Sequence, residues 1–461
     1  MSEYKTPGVY IEEIPRLPPS IASVETAIPA FIGYTEKAQL KEPNDLKNKP
    51  KRITTLLEYE LYFGVAQPET TIEVTFTTQP NKVDVQGKVT KPSNFLMYYS
   101  LQIFFINGGG PCYIVSVGNY TDGGGLISDA DLIKGLNETD KENEITLLVF
   151  PDATNLDQAG NYYSVQKEAI DKCVLLQDRF VVMDVYDNPD PAVNNIDVLR
   201  TEISGGTEDL KYAAVYYPKI YTRLDYQYKD EALVKITGGA AANLAALKAA
   251  NNAQYFAAKN AINNIEMLLP ASSAVVGKYA QVDNARGVWK APANVNIDFA
   301  SRPAKLISNK EQESLNIDSL AGKSINVIRF FQGRGPAIIW GARTLAGNDN
   351  EWRYVSVRRF FNMAEESIKN ATEQFVFEPN DKQTWVTVKS MIENYLSQQW
   401  KLGALMGSTT REAYFVHVGL GETMTELDIW EGRMIVEIGM AVVRPAEFII
   451  LKFMHKMLAD S

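Results

Sequence analysis

The stretch from Ile145 to Val185 constrains the fold most. Ile145–Phe150 is a short apolar run closed by Pro151-Asp152. Val165, Ala169, Ile170, Cys173 and Leu176 then recur at helical spacing, and after Arg179 a second apolar run, Phe180–Val185, begins. Such runs between turn residues read as buried strands, and apolar positions three and four apart read as one helix face. A strand–helix–strand unit makes its two strands parallel, with a right-handed crossover. A short helix near Asn195–Ile203 and a third strand at Tyr212–Tyr217 extend the pattern. This part of the chain is α/β.

The N-terminus follows a different logic. In Thr6-Pro7-Gly8-Val9-Tyr10-Ile11-Glu12-Glu13-Ile14, the segment Val9–Ile14 has strand composition, but Pro15-Arg16-Leu17-Pro18-Pro19 follows where a turn and a partner strand would be needed. Prolines at this density forbid helix and remove ladder donors, which favours an extended path. A strand with no local partner must pair with a remote part of its own chain or with another copy. That points toward assembly, not catalysis. The apolar run Ile28–Tyr34 comes next.

Glu69–Asn94 is Thr-, Val- and Lys-rich with strand-like alternation, and reads as a surface hairpin or insertion. Gly239–Leu269 places Leu244, Leu247, Tyr255, Ala258, Ile262, Ile265 and Leu269 on one stripe, which fits one long amphipathic helix or two shorter ones. Ile325–Phe331 and Pro336–Trp340 read as two strands joined by a glycine turn. Val355–Ala371 and Lys382–Leu405 read as helices, and Tyr414–Val418 and Met434–Val443 as strands. Ala446–Met454 fits either strand or helix.

With 461 residues the chain is long enough for two or three domains, and 45% apolar against 22% charged residues is ordinary globular composition. A net charge of -10 argues against nucleic-acid binding as its main business. Cys112 and Cys173 are the two cysteines, too few for a disulfide framework or a cysteine zinc site, and read as buried thiols. No apolar run approaches the roughly 20 residues of a membrane span. Met1-Ser2-Glu3-Tyr4-Lys5 is followed by no apolar leader core, so the expectation is synthesis in the cytoplasm.

Signals for chemistry are weak. Gly322-Lys323-Ser324 ends like a P-loop, but Ile317 stands where the first glycine is needed and Ile325-Asn326-Val327-Ile328 runs on as a strand. Gly108-Gly109-Gly110 and Gly333-Arg334-Gly335 begin dinucleotide patterns whose third glycine is replaced by Tyr113 and Ile338. Asp152 and Asp184 sit at carboxyl ends of neighbouring strands, where α/β enzymes hold catalytic carboxylates. With no base, nucleophile or phosphate loop beside them, they read as loop caps. His417 and His455 have no metal-binding spacing. The expectation is no enzyme activity, no cofactor and no metal.

Five blocks carry a resemblance to a family. They are Tyr4–Glu13 with Ala27–Thr35, then Arg286-Gly287-Val288-Trp289-Lys290-Ala291-Pro292-Ala293-Asn294, Ile338–Leu345, Trp352–Arg359 and Val443–Ile450. In this order they resemble contractile tail sheath proteins across the whole chain, least so from about Glu69 to Leu269. The N-terminal block is most similar to sheaths of extracellular injection systems.

The resemblance implies a mixed α/β and α+β fold: an arm over 1–22, an α/β body over 23–335 with a small β-rich insertion near 66–95, a C-terminal α+β assembly domain over 336–445, and a second arm over 446–461. It implies a structural subunit that stacks as hexameric rings around an inner tube and contracts to drive the tube through a target envelope. Its partners would be further copies of itself, the tube protein, and baseplate and terminal cap proteins, with no nucleic acid and no direct membrane insertion. The particle would be assembled in the cytoplasm and released, or would be part of a virion.

By similarity, Val9, Tyr10, Ile11 and Ile14 at one end and Phe448, Ile449, Ile450 and Leu451 at the other are donated strands. The receiving sheet is then Tyr414–Val418 with Met434–Val443. On helix Val355–Ala371, apolar Val357, Phe360, Phe361, Ala364 and Ile368 would leave Arg358, Arg359 and Lys369 for an acidic inner tube. Pairing with Glu365 and Glu366 is the competing reading. Other open readings are a phage virion sheath, an α/β hydrolase using Asp152 or Asp184, and a strand-donating binding module.

Overall fold

The computed structural model describes residues 20–80 and 82–452. The chain forms two compact units: Glu25–Met363 with the chain from Arg444 onward, and the chain up to Val24 with Ala364–Val443.

The larger unit is built on a nine-stranded sheet. From one edge to the other its strands are Val295–Asn296, Gly335–Trp340, Asn326–Phe331, Ala213–Tyr217, Phe180–Asp184, Leu147–Val149, Pro29–Thr35, Cys112–Asn119 and Lys51–Ile53. The middle of the sheet is parallel from Asn326–Phe331 across to Cys112–Asn119, and antiparallel strands close both edges. Leu147 pairs with Phe180 in parallel across the helix Ala159–Leu176, as the strand–helix–strand pattern predicts.

These strands read as unbroken apolar runs because both faces are covered. Ile32, Leu148, Val181 and Met183 enter one core with Leu132, Leu136, Val165, Ala169 and Cys173 of the helices Asp129–Glu138 and Ala159–Leu176. Phe31, Leu147, Val149 and Val182 enter the other with Leu101, Phe104, Val275 and Tyr279 of the helices Met97–Ile106 and Ser272–Arg286. Cys112 and Cys173 are buried thiols.

Three expectations about boundaries change. Strand Gly335–Trp340 pairs with Asn326–Phe331, which in turn pairs with Ala213–Tyr217 in the large sheet. A division at residue 336 would cut this hairpin, and the structure divides the chain at Met363/Ala364 instead. The β-rich insertion is also larger than 66–95. Its hairpin, Ile72–Gln79 with Lys82–Val89, gains a third strand from Lys235–Thr237, parallel to the first. The alanine-rich stretch covers it as two helices, Leu244–Ala250 and Asn252–Asn263, divided at Asn251, whose side chain caps the second. Ile72, Val74, Phe76, Ile236, Leu247 and Ile262 share a separate core. An isolated hairpin is marginal in water, so the distant strand and helices supply the missing apolar cover. Finally, Ala446–Lys452 is neither helix nor strand.

In the smaller unit, helix Lys382–Lys401 starts at Asp381, whose carboxylate accepts from the amides of Gln383 and Thr384. It buries Val388, Met391, Ile392, Tyr395 and Leu396. Strands Tyr414–His417 and Glu437–Met440 pair antiparallel. Ile21 is buried here, Ser23 Oγ donates to Tyr395 Oη at 3.4 Å, and the Val24 amide donates to Ser367 Oγ at 3.0 Å.

Candidate functional site

The enzyme-like carboxylates, Asp152 and Asp184, are both engaged by backbone amides. The sheet reverses its winding at Pro29–Thr35, whose neighbours are Cys112–Asn119 on one side and Leu147–Val149 on the other. Ligands of α/β proteins bind in the crevice at such a reversal. Here Asp152 fills it: Oδ2 accepts from the Tyr34 amide at 2.7 Å, and Oδ1 from the Leu96 and Met97 amides at 2.6 and 3.1 Å. The carboxylate thus caps helix Met97–Ile106, where the helix dipole favours negative charge. Asp184 does the same for Ser272–Arg286, accepting from the Ala271 and Ser272 amides at 2.7 and 3.1 Å. Burial pushes the Asp152 carboxyl up to about 7 and that of Asp184 to about 6, against these donors.

The remaining motifs resolve similarly. Lys323 Nζ donates to the Arg200 carbonyl at 2.5 Å and Ser324 Oγ to that of Asn316 at 2.6 Å, a closed turn before a strand. His417 pairs with Glu422 at 2.5 Å, and His455 lies outside the described residues.

The inner-tube expectation needs correcting for two residues. Arg358 and Arg359 are 2% and 4% exposed. Arg359 is ion-paired with Asp283 and donates to the Thr26 carbonyl at 2.9 Å, beneath the Tyr279 ring. Arg358 Nε donates to Asn362 Oδ1 at 2.7 Å, and its guanidinium stacks among Tyr212, Trp352 and Phe361. The first turns of helix Val355–Thr372 are buried all round, so both arginines serve the interior. Lys369 remains exposed and pairs with Glu366 at 3.1 Å.

The C-terminal segment is the strongest candidate for binding. Phe448, Ile449, Ile450 and Leu451 are 65%, 79%, 80% and 72% exposed, four consecutive large apolar side chains. Just before them Glu447 is fixed. Arg343 grips its carboxylate with two donors, Nη2 to Oε2 at 2.6 Å and Nε to Oε1 at 2.9 Å. Asn316 Nδ2 and Tyr354 Oη add donors at 2.8 and 3.1 Å. Burial opposes the charge, but these hydrogen bonds outweigh it and hold the carboxyl below its usual range. Sequence patterns do not reveal this clamp, because its partners lie about a hundred residues apart in sequence.

The smaller unit offers a matching feature. Strands Tyr414–His417 and Glu437–Met440 form a two-stranded sheet with no third strand among the described residues. Past Met440 the chain is bridged by Leu405 at Val442, and a two-stranded sheet of this kind is an arrangement to which a further strand can be added. Phe415 and Trp430 are 51% and 79% exposed. Val9, Tyr10, Ile11 and Ile14 lie outside the described residues.

Comparison with known proteins gives a consistent result. Residues 347–455 match the phage tail sheath C-terminal domain. The tail sheath protein of Vibrio phage KVP40 is 24% identical over 348 residues, 71% of this chain and 46% of that protein. The tail sheath protein of Enterobacteria phage T4 is 25% identical over 31% of this chain and 21% of its own length. The chain therefore spans less than half the length of these curated relatives. Among solved structures, the anti-feeding prophage helical sheath in its contracted state is 32% identical, with a TM-score of 0.65 over 98% of this chain and 100% of that one. A chain of the anti-feeding prophage baseplate is also 32% identical, with a TM-score of 0.64 over the same shares. The sheath complex of the extracellular contractile injection system PVC, also contracted, is 30% identical, with a TM-score of 0.62 over 99% of both chains.

Proposed function

The chain belongs to the contractile tail sheath family, and on that premise we propose that it is the structural subunit of a contractile sheath. Copies stack as hexameric rings around an inner tube and shorten together, driving the tube through a target envelope. The observation that carries this reading is the run Phe448–Leu451, four exposed apolar residues in a segment that is neither helix nor strand. A monomer gains nothing from such a run, whereas a neighbour's open sheet would bury it.

Strand addition uses backbone hydrogen bonds, so it asks little of side chains and survives rotation of whole domains. In this reading Phe448–Leu451 of one copy, together with the Val9–Ile14 strand, enlarges the sheet of Tyr414–His417 and Glu437–Met440 on a neighbour. The other partners are the tube protein, with Lys369 as a contact residue, and baseplate and terminal cap proteins. Contraction draws on subunit contacts that improve as rings close up, and so needs no nucleotide.

Near-complete coverage at 30–32% identity favours an extracellular injection particle over a phage virion, whose sheath proteins match at 24–25% over part of their length. Truncation tests the proposal. Removing residues 448–461, or 1–20, from the purified protein yields a folded monomer that forms neither rings nor tubes in negative stain. Normal tubes from both truncated forms would refute it.

A further inference from the structure

The clamp on Glu447 connects to something deeper than its own carboxylate. The Arg343 amide donates to Asn326 Oδ1 at 2.7 Å, and Asn326 Nδ2 donates back to the Arg343 carbonyl at 2.7 Å. The same Nδ2 lies 3.2 Å from the Val215 carbonyl, on the strand Ala213–Tyr217 in the parallel part of the large sheet. Arg343 Nη1 also donates to the carbonyls of Asn316 and Gly347, both at 3.2 Å. An unbroken series of hydrogen bonds thus runs from Glu447 through Arg343 and Asn326 to the sheet. The Arg343 side chain is 3% exposed and that of Glu447 21%. Water has little access to the pair, and its two-pronged geometry resists both sliding and rotation.

We propose that Glu447, Arg343 and Asn326 form a mechanical tether, so that tension on the C-terminal arm held by a second copy of this chain is delivered to the large sheet of the copy that donates it. The inference rests on the reading of Phe448–Leu451 as a donated strand and assigns positioning roles that sequence motifs do not indicate. Without the clamp, the chain between Val443 and Phe448 is slack, and a neighbour holding the arm pulls only on an extended linker. With the clamp, the arm leaves the body from one fixed point, beside Arg343. That fixed origin reduces the conformational freedom lost on docking and keeps the arm aimed at one neighbour. Tethering and folding are separated by measuring assembly and local protection together.

Full-length wild type, Glu447→Ala and Glu447→Gln are purified and allowed to assemble. Tube yield is measured by pelleting and electron microscopy, and hydrogen exchange is followed in the unassembled chains. Expected for Glu447→Ala is at least a tenfold loss of tubes, with faster exchange at residues 446–448 and unchanged protection at residues 213–217. Glu447→Gln, which keeps one acceptor oxygen for Arg343 Nε and Asn316 but turns an NH2 toward Arg343 Nη2 and Tyr354, recovers part of the yield. Should Glu447→Ala lose the protection at 213–217, Glu447→Gln carries the decision, and full yield from it overturns the tether. Wild-type tubes matched in yield by Glu447→Ala tubes overturn the tether and leave the sheath reading standing. A wild type that assembles into neither rings nor tubes overturns both.

Discussion

Arg359 and Asp283 form an ion pair inside the larger unit, with Nη2 2.5 Å from Oδ2 and the side chains 3% and 5% exposed. Thr26 completes the knot, donating from Oγ1 to Asp283 Oδ2 at 2.6 Å and accepting at its carbonyl from Arg359. Breaking a buried pair leaves one charge uncompensated, which costs about 3–5 kcal/mol. Arg359→Met is therefore expected to lower unfolding free energy by about that much in denaturant titration. Lys369→Ala, which removes an exposed ion pair, changes it by at most about 0.5 kcal/mol. Equal effects would contradict the interior role of Arg359.

Asp152 gives a pH signature. Its carboxyl is pushed from 3.8 to about 7 by burial, so between those values the folded state holds the proton more tightly than the unfolded chain. The stability this group contributes is present in full below 3.8 and is lost as pH rises toward about 7. Paired carboxylates such as Glu447 act in the opposite direction, so the comparison must be made with Asp152→Asn, which cannot ionise. Across pH 4 to 7 the wild type loses stability relative to the Asn variant. A difference that is flat with pH would show that the three amide donors keep the carboxylate charged throughout.

The α/β body is legible because its strands are continuous apolar runs and Ala159–Leu176 carries a clear stripe. Helix Ser272–Arg286 is not legible, since Ser272, Ser273 and Lys278 are buried beside Val275 and Tyr279, and no polar face remains over Ser272–Ala280 to mark a period. Arg358 and Arg359 mislead for the same reason. The first turns of helix Val355–Thr372, buried all round, hide charges that a one-sided pattern assigns to solvent. The pairing of Lys235–Thr237 with Ile72–Gln79 is set by contacts about 160 residues apart, which local patterns do not record. The arm is legible as an apolar run, but its anchoring through Glu447 is not, because a single glutamate before such a run carries no spacing signal.

Charged substitutions in the arm separate assembly from folding. Ile449→Asp and Ile450→Asp alter side chains that are 79% and 80% exposed, so thermal stability of the monomer changes by at most about 0.5 kcal/mol. Assembly into tubes is expected to fail, because a charge would be buried against the neighbour's sheet. Calorimetry and pelleting read the two effects independently.

The insertion is expected to open separately from the body. Ile236 is 6% exposed in the core shared by Phe76 and Leu247. Ile236→Ala removes buried methylenes there, at a cost of about 2–4 kcal/mol. Hydrogen exchange should quicken across the hairpin of Ile72–Gln79 and Lys82–Val89 while Phe180–Asp184 stays protected. Uniform acceleration would mean that the insertion and the large sheet unfold together.

In the proposed sheath each copy lends its ends to its neighbours. Electron cryomicroscopy of tubes assembled from the purified full-length protein, at a resolution that traces the backbone, would show where the ends go. Phe448–Leu451 of one copy is expected to be hydrogen-bonded as an added strand to the sheet of Tyr414–His417 and Glu437–Met440 in another. Tubes in which that sheet stays two-stranded, or in which each arm folds back onto its own chain, would contradict it.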